Sequence, residues 1–237
     1  MRLRIRFAKL GKIRFTSHRD VARIWERALR RSQLPVAYSE GFTPRPKLSF
    51  GLALSTSHES NAEYLDVDLD EARAGSVDIE PLPGVLTEAL PEGLTATAVI
   101  EIDKREPSLQ HVVTSCTWQI DADGVDARTA TGAVARALAA DQIIVTRERK
   151  GKQVVDDVRP LVLGLDVEGP TDDGVRLIAE LGTQPRALRP SELLGIVDST
   201  LVEQRVLRLH QWTTNADGAR REPVSQAQPS TAARGVM

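Results

Sequence analysis

The sequence predicts an α+β fold of two tandem ferredoxin-like (βαββαβ) units with antiparallel sheets, followed by a disordered C-terminal tail. Three observations carry that expectation: strict apolar alternation at the start of the chain, helical apolar spacing directly after it, and a similar order of elements again from His111 onward. The 237 residues leave room for two modest domains, a domain being roughly 100–200 residues. The expected division is residues 1–108 for a first unit with a basic sheet face, 109–212 for a second unit and 213–237 for the tail. The residues themselves show no repeat, so the doubling rests on element order.

In the opening strand Leu3, Ile5 and Phe7 point one way and Arg2, Arg4 and Arg6 the other, as one buried face requires. After a turn at Gly11, Ile13 and Phe15 resume the apolar parity with Lys12 and Arg14 opposite, so one side of this strand is almost wholly cationic. Val21, Ile24, Trp25, Ala28 and Leu29 then recur at helical spacing behind Ser17 as N-cap, with Asp20 three residues on. The other helix face carries Arg19, Arg23, Arg27, Arg30 and Arg31, and Pro35 ends the helix. Leu48, Phe50, Leu52 and Leu54 alternate as a strand, and Ala62 to Leu69 form its hairpin partner. A helix in "IEPLPGVLTEAL" and a strand in "LTATAVIEI" close the first unit.

The second unit reads as a strand at Val112–Ile120 and a helix at about Thr129–Ala140. "QIIVTRER" turns at Lys150-Gly151 into "KQVV", and "PLVLGLDVE" and "GVRLIAEL" follow. A helix opens at Pro190 and "QRVLRLHQW" supplies the last strand. From Thr213 the composition is polar and aperiodic, which predicts disorder.

No apolar run approaches the eighteen or so residues of a membrane span, and charges interrupt every apolar residue at the start, so the chain is expected to carry no signal peptide and to stay in the cytoplasm. A single cysteine, Cys116, rules out an internal disulfide framework and a cysteine-ligated cluster held by this chain alone. It shares a strand face with Val112, Trp118 and Ile120 and reads as a small buried hydrophobe. The net charge of −2 hides an asymmetry: residues 1–50 carry thirteen Lys/Arg against three Asp/Glu, and residues 51–110 three against thirteen. Dinucleotide-binding, Walker and HExxH patterns are absent, which leaves a nucleotide hydrolase without local support.

The strongest physical signal is the basic set Arg2, Arg4, Arg6, Lys12 and Arg14 with Arg45 and Lys47. On an open sheet face these cations would meet phosphates, with Phe42 and Tyr38 as the rings that stack bases. The competing reading packs that face on the second unit or on the acidic segment 59–106. Arg147, Arg149, Lys150 and Lys152 at a hairpin tip make a second cationic point and suggest a cleft between the units. Ser17, His18 and Asp20 invite a catalytic reading, but helix capping explains Ser17 and Asp20, which leaves His18 as the one candidate acid–base group. Asp66, Asp68 and Asp70 imitate half of a calcium loop, yet Glu71 and Val77 stand where such a loop needs Gly and Glu; a solvated strand face fits better, and no metal is expected. His58, His111 and His210 receive no role.

Ser17-His18-x-Asp20, Tyr38-Ser39 followed by Gly41-Phe42 and Pro44, and Glu63-Tyr64-Leu65 together resemble the radical-SAM-linked protein family, also known as the domain of unknown function DUF2344. Relatives usually have Leu where this chain has Arg19. The resemblance implies association with a radical SAM protein that would itself hold the iron–sulfur cluster, S-adenosylmethionine and cobalamin. It also implies a distant likeness to duplicated ferredoxin-like proteins that bind or cut CRISPR RNA. Three expectations follow: a non-catalytic accessory that holds an RNA substrate, a tRNA or rRNA, for that enzyme; an RNA-processing enzyme with His18 as base; or a protein-docking module. Gly41, the two prolines and the exposed chemistry of Phe42, Arg45 and Lys47 make the loop either a nucleic-acid contact or a stiff lip packed on its neighbour.

Overall fold

The structure is a computed structural model that describes residues 1–214 and 217–224, with every side chain but that of Arg149. In chain order the elements are β1 (Arg2–Lys9), a 3-10 turn (Gly11–Phe15), α1 (His18–Arg31), β2 (Leu48–Phe50), β3 (Glu59–Asp68), α2 (Glu71–Ala74), α3 (Leu82–Ala89) and β4 (Leu94–Ile102). There follow α4 (Leu109–Val112), β5 (Val113–Asp123), α5 (Ala127–Ala139), β6 (Ile144–Arg149), β7 (Lys152–Asp157), a 3-10 turn (Arg159–Leu161), β8 (Val162–Pro170) and β9 (Gly174–Gly182). The described chain closes with α6 (Pro190–Val197), β10 (Val202–Thr214) and β11 (Arg220–Arg221).

The fold is mixed α+β, as expected, and dominated by antiparallel pairing. One large sheet has the order β4-β1-β3-β10-β5-β9-β8, with β2 added on β3 and β11 on β10, while β6 and β7 form a separate hairpin. Among the described residues only the β3–β10 pairing is parallel; it runs through Leu207 opposite Glu59 and Arg208 opposite Ser60. β8 lies at one end of the sheet, with register irregularities between Val162 and Gly164 and between Val167 and Gly169.

β1 keeps the predicted parity: Leu3, Ile5 and Phe7 are buried in one core with Val21, Trp25 and Leu29 of α1 and Leu86 of α3. Phe7 meets Trp25 edge to face at 4.9 Å. The α1 N-terminus is capped as expected, the Ser17 hydroxyl accepting from the Asp20 N–H at 3.2 Å. A second core gathers Ile120, Ala122, Leu177 and Ala179 under Ala130 and Ala133 of α5 and Leu193 of α6, and it takes in Ala62, Tyr64 and Ala98 from the first half. The two halves therefore share buried surface as well as a sheet.

Three expectations need correction. Residues 12–15 do not continue the first strand: Gly11 adopts φ +71° and donates its N–H to Glu59 at 2.6 Å, so the chain coils into the 3-10 turn. Leu52 and Leu54 lie beyond the end of β2. The tail expected from 213 is structured where it is described, since β10 runs to Thr214, β11 pairs with it, and Val224 is 3% exposed. Residues 215–216 and 225–237 of that expected tail lie outside the described residues. Among the described residues no helix is long and apolar enough to cross a membrane.

Candidate functional site

The cations of β1 are on the predicted side, and that side is closed. Antiparallel register sets Arg2 opposite Asp68, Arg4 opposite Asp66 and Arg6 opposite Tyr64. Arg4 grips Asp66 with Nε at 2.8 Å and Nη2 at 2.9 Å, and its Nη1 reaches Glu106 at 3.3 Å. Arg2 Nε donates to Asp68 at 2.6 Å. Arg6 Nη2 donates to Glu222 at 3.1 Å, and the same carboxylate oxygen lies 2.9 Å from Nδ1 of His210. Arg4 is 4% and Arg6 1% exposed. A guanidinium withdrawn from water must be matched by a carboxylate, and here Asp66, Asp68, Glu106 and Glu222 supply the match. The open cationic face expected for Arg2, Arg4 and Arg6 is thus replaced by an ion-paired layer. Nor are Asp66 and Asp68 a solvated acidic face; Asp70 caps α2, accepting from the Ala72 N–H at 2.9 Å.

On the opposite side of β3, Glu63 of the "EYL" motif is buried and accepts from Arg208 Nη1 at 2.7 Å. Arg208 also donates to the carbonyls of Leu52 and Ala53, each at 3.1 Å, and lies 4.7 Å over the Trp118 ring. Glu63 therefore clasps β10 and the segment after β2. Lys9 is buried nearby with its ammonium donating to the carbonyls of Arg14 and Thr16, both at 3.0 Å, and burial lowers its pKa. Arg208 and Lys9 escaped the sequence reading because single cations inside apolar alternation carry no periodic signal.

Glu59 is a second clasp, accepting from the Gly11 N–H and from Arg205 Nε at 2.5 Å. Burial works to raise its pKa, but the Arg205 and Gly11 hydrogen bonds outweigh it and hold the carboxyl below the ordinary 4.5. A carboxyl held low in the folded state contributes stability that is present above the unfolded pKa and lost as pH falls through the folded one. Glu59→Gln is accordingly expected to flatten the loss of stability between about pH 5 and pH 3 in acid-unfolding curves; a limb as steep as that of the unchanged protein would contradict the assignment.

Ser17, His18 and Asp20 do not assemble a catalytic set. The Ser17 hydroxyl donates to Asp20 at 2.7 Å, a bond that leads the lowering of the Asp20 pKa, and Arg23 donates to the same carboxylate at 3.2 Å. His18 sits edge-on to Phe50 at 5.2 Å, and among the described residues no hydrogen bond joins it to Ser17 or Asp20. The space it shares with Lys9 and Glu63 is about 10 Å³, room for a water and no substrate.

The cations left open to solvent lie elsewhere. Arg19, Arg23, Arg27, Arg30 and Arg31 stand exposed along α1, with exposed Lys12 and the half-buried Arg14 beside its start. Arg14 lies 4.7 Å over the Phe15 ring, which is 60% exposed. The loop 39–47 is closed by mutual bonds between Ser39 and Arg45, the Ser39 N–H donating to the Arg45 carbonyl at 2.8 Å and the Arg45 N–H to the Ser39 hydroxyl at 3.0 Å. Gly41 takes φ +119° at its turn, followed by a wholly exposed Phe42, with Pro44, Arg45 and Lys47 also at the surface. A groove of about 500 Å³ joins this loop to α1, between Arg30, Leu34, Tyr38, Pro46 and Arg73. The hairpin β6–β7 contributes less than expected: Arg147 is bound to Asp156 at 2.7 Å, which also accepts from Arg186 at 3.0 Å. Lys150 and Lys152 are exposed, and the Arg149 side chain lies outside the described residues.

Compared with known families, residues 2–190 match the family described as "Uncharacterized protein conserved in bacteria (DUF2344)", a span from β1 to the first residue of α6. No curated protein matches the chain.

Proposed function

We propose that this chain, which belongs to the DUF2344 family, is a cytoplasmic, non-catalytic accessory that holds RNA for a partner radical SAM enzyme. The observation that carries the RNA reading is the α1 row. Arg19, Arg23, Arg27 and Arg31 follow one another at four-residue intervals on exposed positions, a line of charge about 18 Å long at 1.5 Å per residue. Like charges so spaced destabilise a helix by roughly 0.2–0.5 kcal/mol per pair, and Arg19, in the first turn, also opposes the positive end of the helix dipole. Within the chain the row is met only in part, by the exposed Asp20 carboxylate at Arg23 and the Ala89 carbonyl at Arg31, contacts worth little at the surface, whereas a phosphate backbone would neutralise it. Phe42, Tyr38 and Phe15 are exposed rings that would serve as stacking surfaces, and Tyr38 lines the groove beside Arg30.

The radical SAM part rests on the family resemblance and on chemistry. A cluster needs three cysteines, and the chain has only Cys116, whose buried thiol is pushed up to about 11 by desolvation. The iron–sulfur cluster, S-adenosylmethionine and cobalamin would belong to the partner. Two ferredoxin-like units, residues 1–108 and 109–212 extended to Thr214, are supported by strand order: β4-β1-β3-β2 and β10-β5-β9-β8 each place the first strand between the third and the last. In this reading β6 and β7 are an insertion. An RNA-processing role for His18 has weaker support, since Ser17 and Asp20 are engaged with each other.

Total cellular RNA is expected to bind with an affinity that falls steeply with salt. The triple variant Arg19→Glu/Arg23→Glu/Arg27→Glu should weaken binding at least tenfold and make the log–log salt slope shallower by about 2, at roughly 0.7 per phosphate contact. Salt-insensitive binding, or a triple variant that binds as the parent does, would sink the reading. Retention of the radical SAM partner after nuclease treatment by that same variant would instead favour a protein-docking module.

A further inference from the structure

The groove beside α1 has a volume of about 500 Å³, within the roughly 300–1,000 Å³ typical of small-molecule sites. Its walls come from Glu26 and Arg30 in the second half of α1, from Tyr38 and Pro46 at the two arms of the 39–47 loop, and from Arg73 of α2. Leu34 adds apolar surface. Backbone bonds hold the loop side in place: Tyr38 bridges Pro46, the Ala37 N–H donates to the Asp68 carbonyl at 2.8 Å, and the Lys47 N–H donates to the Ala37 carbonyl at 2.8 Å. The Tyr38 ring, 47% exposed, is therefore carried on a fixed backbone.

The polar groups of this groove are accessible and uncommitted. Among the described residues no hydrogen bond or ion pair engages the side chain of Glu26, Arg30, Tyr38 or Arg73, and all but the half-buried Glu26 stand exposed. Glu26 precedes Arg30 by four positions, the spacing and order that favour an ion pair along a helix, yet none forms. Two cations from different helices thus share one concave surface with a ring and a single carboxylate. Each has a counterpart in a nucleotide: phosphate answers the arginines, the base stacks on the ring, and the carboxylate accepts from donors on the base edge. Guanine offers a carboxylate two adjacent donors, N1–H and the N2 amine, whereas uracil offers one N–H between two carbonyls that a carboxylate repels.

We infer that the groove seats one guanine nucleotide, with the base on Tyr38, the base edge on Glu26 and the phosphate on Arg30 and Arg73. The site deepens the RNA reading, because Arg30 follows Arg27 at three-residue helical spacing, and a strand lying along the α1 row would deliver its next nucleotide to the groove. It rests on that reading only for the source of the nucleotide. Arg19, Arg23 and Arg27 do not line the groove, so row and groove are tested apart.

The probe is guanosine 5′-monophosphate, titrated calorimetrically into the full chain at low salt, with uridine 5′-monophosphate as the comparison. Saturable one-site binding at millimolar nucleotide is expected, the guanosine nucleotide being held about fivefold more tightly, as a two-point base contact supplies. That comparison needs no variant to fold. Tyr38→Leu should weaken binding about tenfold, within the worth of one stacked base. Arg73→Ser should weaken it and make its salt dependence shallower. Glu26→Gln should bring the two nucleotides to equal affinity, and Arg19→Glu/Arg23→Glu/Arg27→Glu should bind guanosine 5′-monophosphate as the parent does. The proposal is overturned if that nucleotide fails to saturate, if the uridine nucleotide binds the unchanged protein as tightly, or if Tyr38→Leu or Arg73→Ser binds unchanged. Nucleotide binding that behaves as expected, beside salt-insensitive binding of total RNA, would uphold the groove and sink the RNA reading; the reverse pattern would uphold the row and overturn the groove.

Discussion

Arg4→Met is expected to lower the unfolding free energy by about 3–5 kcal/mol in urea titrations, the range for stripping one partner from a buried ion pair. The substitution would leave the Asp66 carboxylate, 5% exposed, facing a thioether where two guanidinium hydrogen bonds stood. Glu106 adds less, because its side chain is 47% exposed and water screens it. The double variant Arg4→Met/Asp66→Leu separates two accounts of the layer. If the damage in the single variant is an uncompensated charge, removing the charge as well should restore most of the stability, since two apolar side chains of similar volume need no hydration. A single variant that loses under 1 kcal/mol would show that the pair carries no such burden.

Ending the chain at Thr214 is expected to cost a similar amount, with the thermal midpoint falling by roughly 10 °C for a chain of this size. Arg6 would lose Glu222, its carboxylate partner, while Nε and Nη1 of the same guanidinium are already buried without acceptors. Val224, 3% exposed, would leave the core it belongs to. Glu222→Gln distinguishes charge from packing, because it keeps the segment and Val224 and removes only the negative charge. Its midpoint should fall by less than that of the shortened chain. Equal losses in the two variants would assign the whole effect to Glu222, and an unchanged midpoint in the shortened chain would mean the segment does not hold Arg6 at all.

Local pattern was enough to place β1, α1 and the general succession of strands and helices, because alternation and helical spacing are set within a few residues. It was also enough to say which side of β1 holds the arginines. It was not enough to say what lies over them. "RLRIRF" and "YLDVDL" alternate charge with opposite sign, and their register turns two separate oddities into one set of cross-strand pairs. Reading either alone suggested an open face. The third arginine is different in kind, since Arg6 finds Glu222 across 216 positions of chain, in a stretch with no periodicity to reveal it. The four residues after Gly11 were too few to tell strand alternation from a 3-10 turn. The α1 row was visible from the start, but its standing as the main exposed cationic surface followed only once β1 proved to be neutralised.

β8 has a consequence for how the molecule behaves among its own copies. An outermost strand offers unpaired amides and carbonyls on which another chain can add, the usual route to ribbon-like aggregation. β8 spoils that template: two irregularities break its ladder, Pro170 at its end has no amide hydrogen, and Asp166 and Glu168 put negative charge on the rim. Crowded solutions of this protein should therefore resist lateral β-stacking at that side.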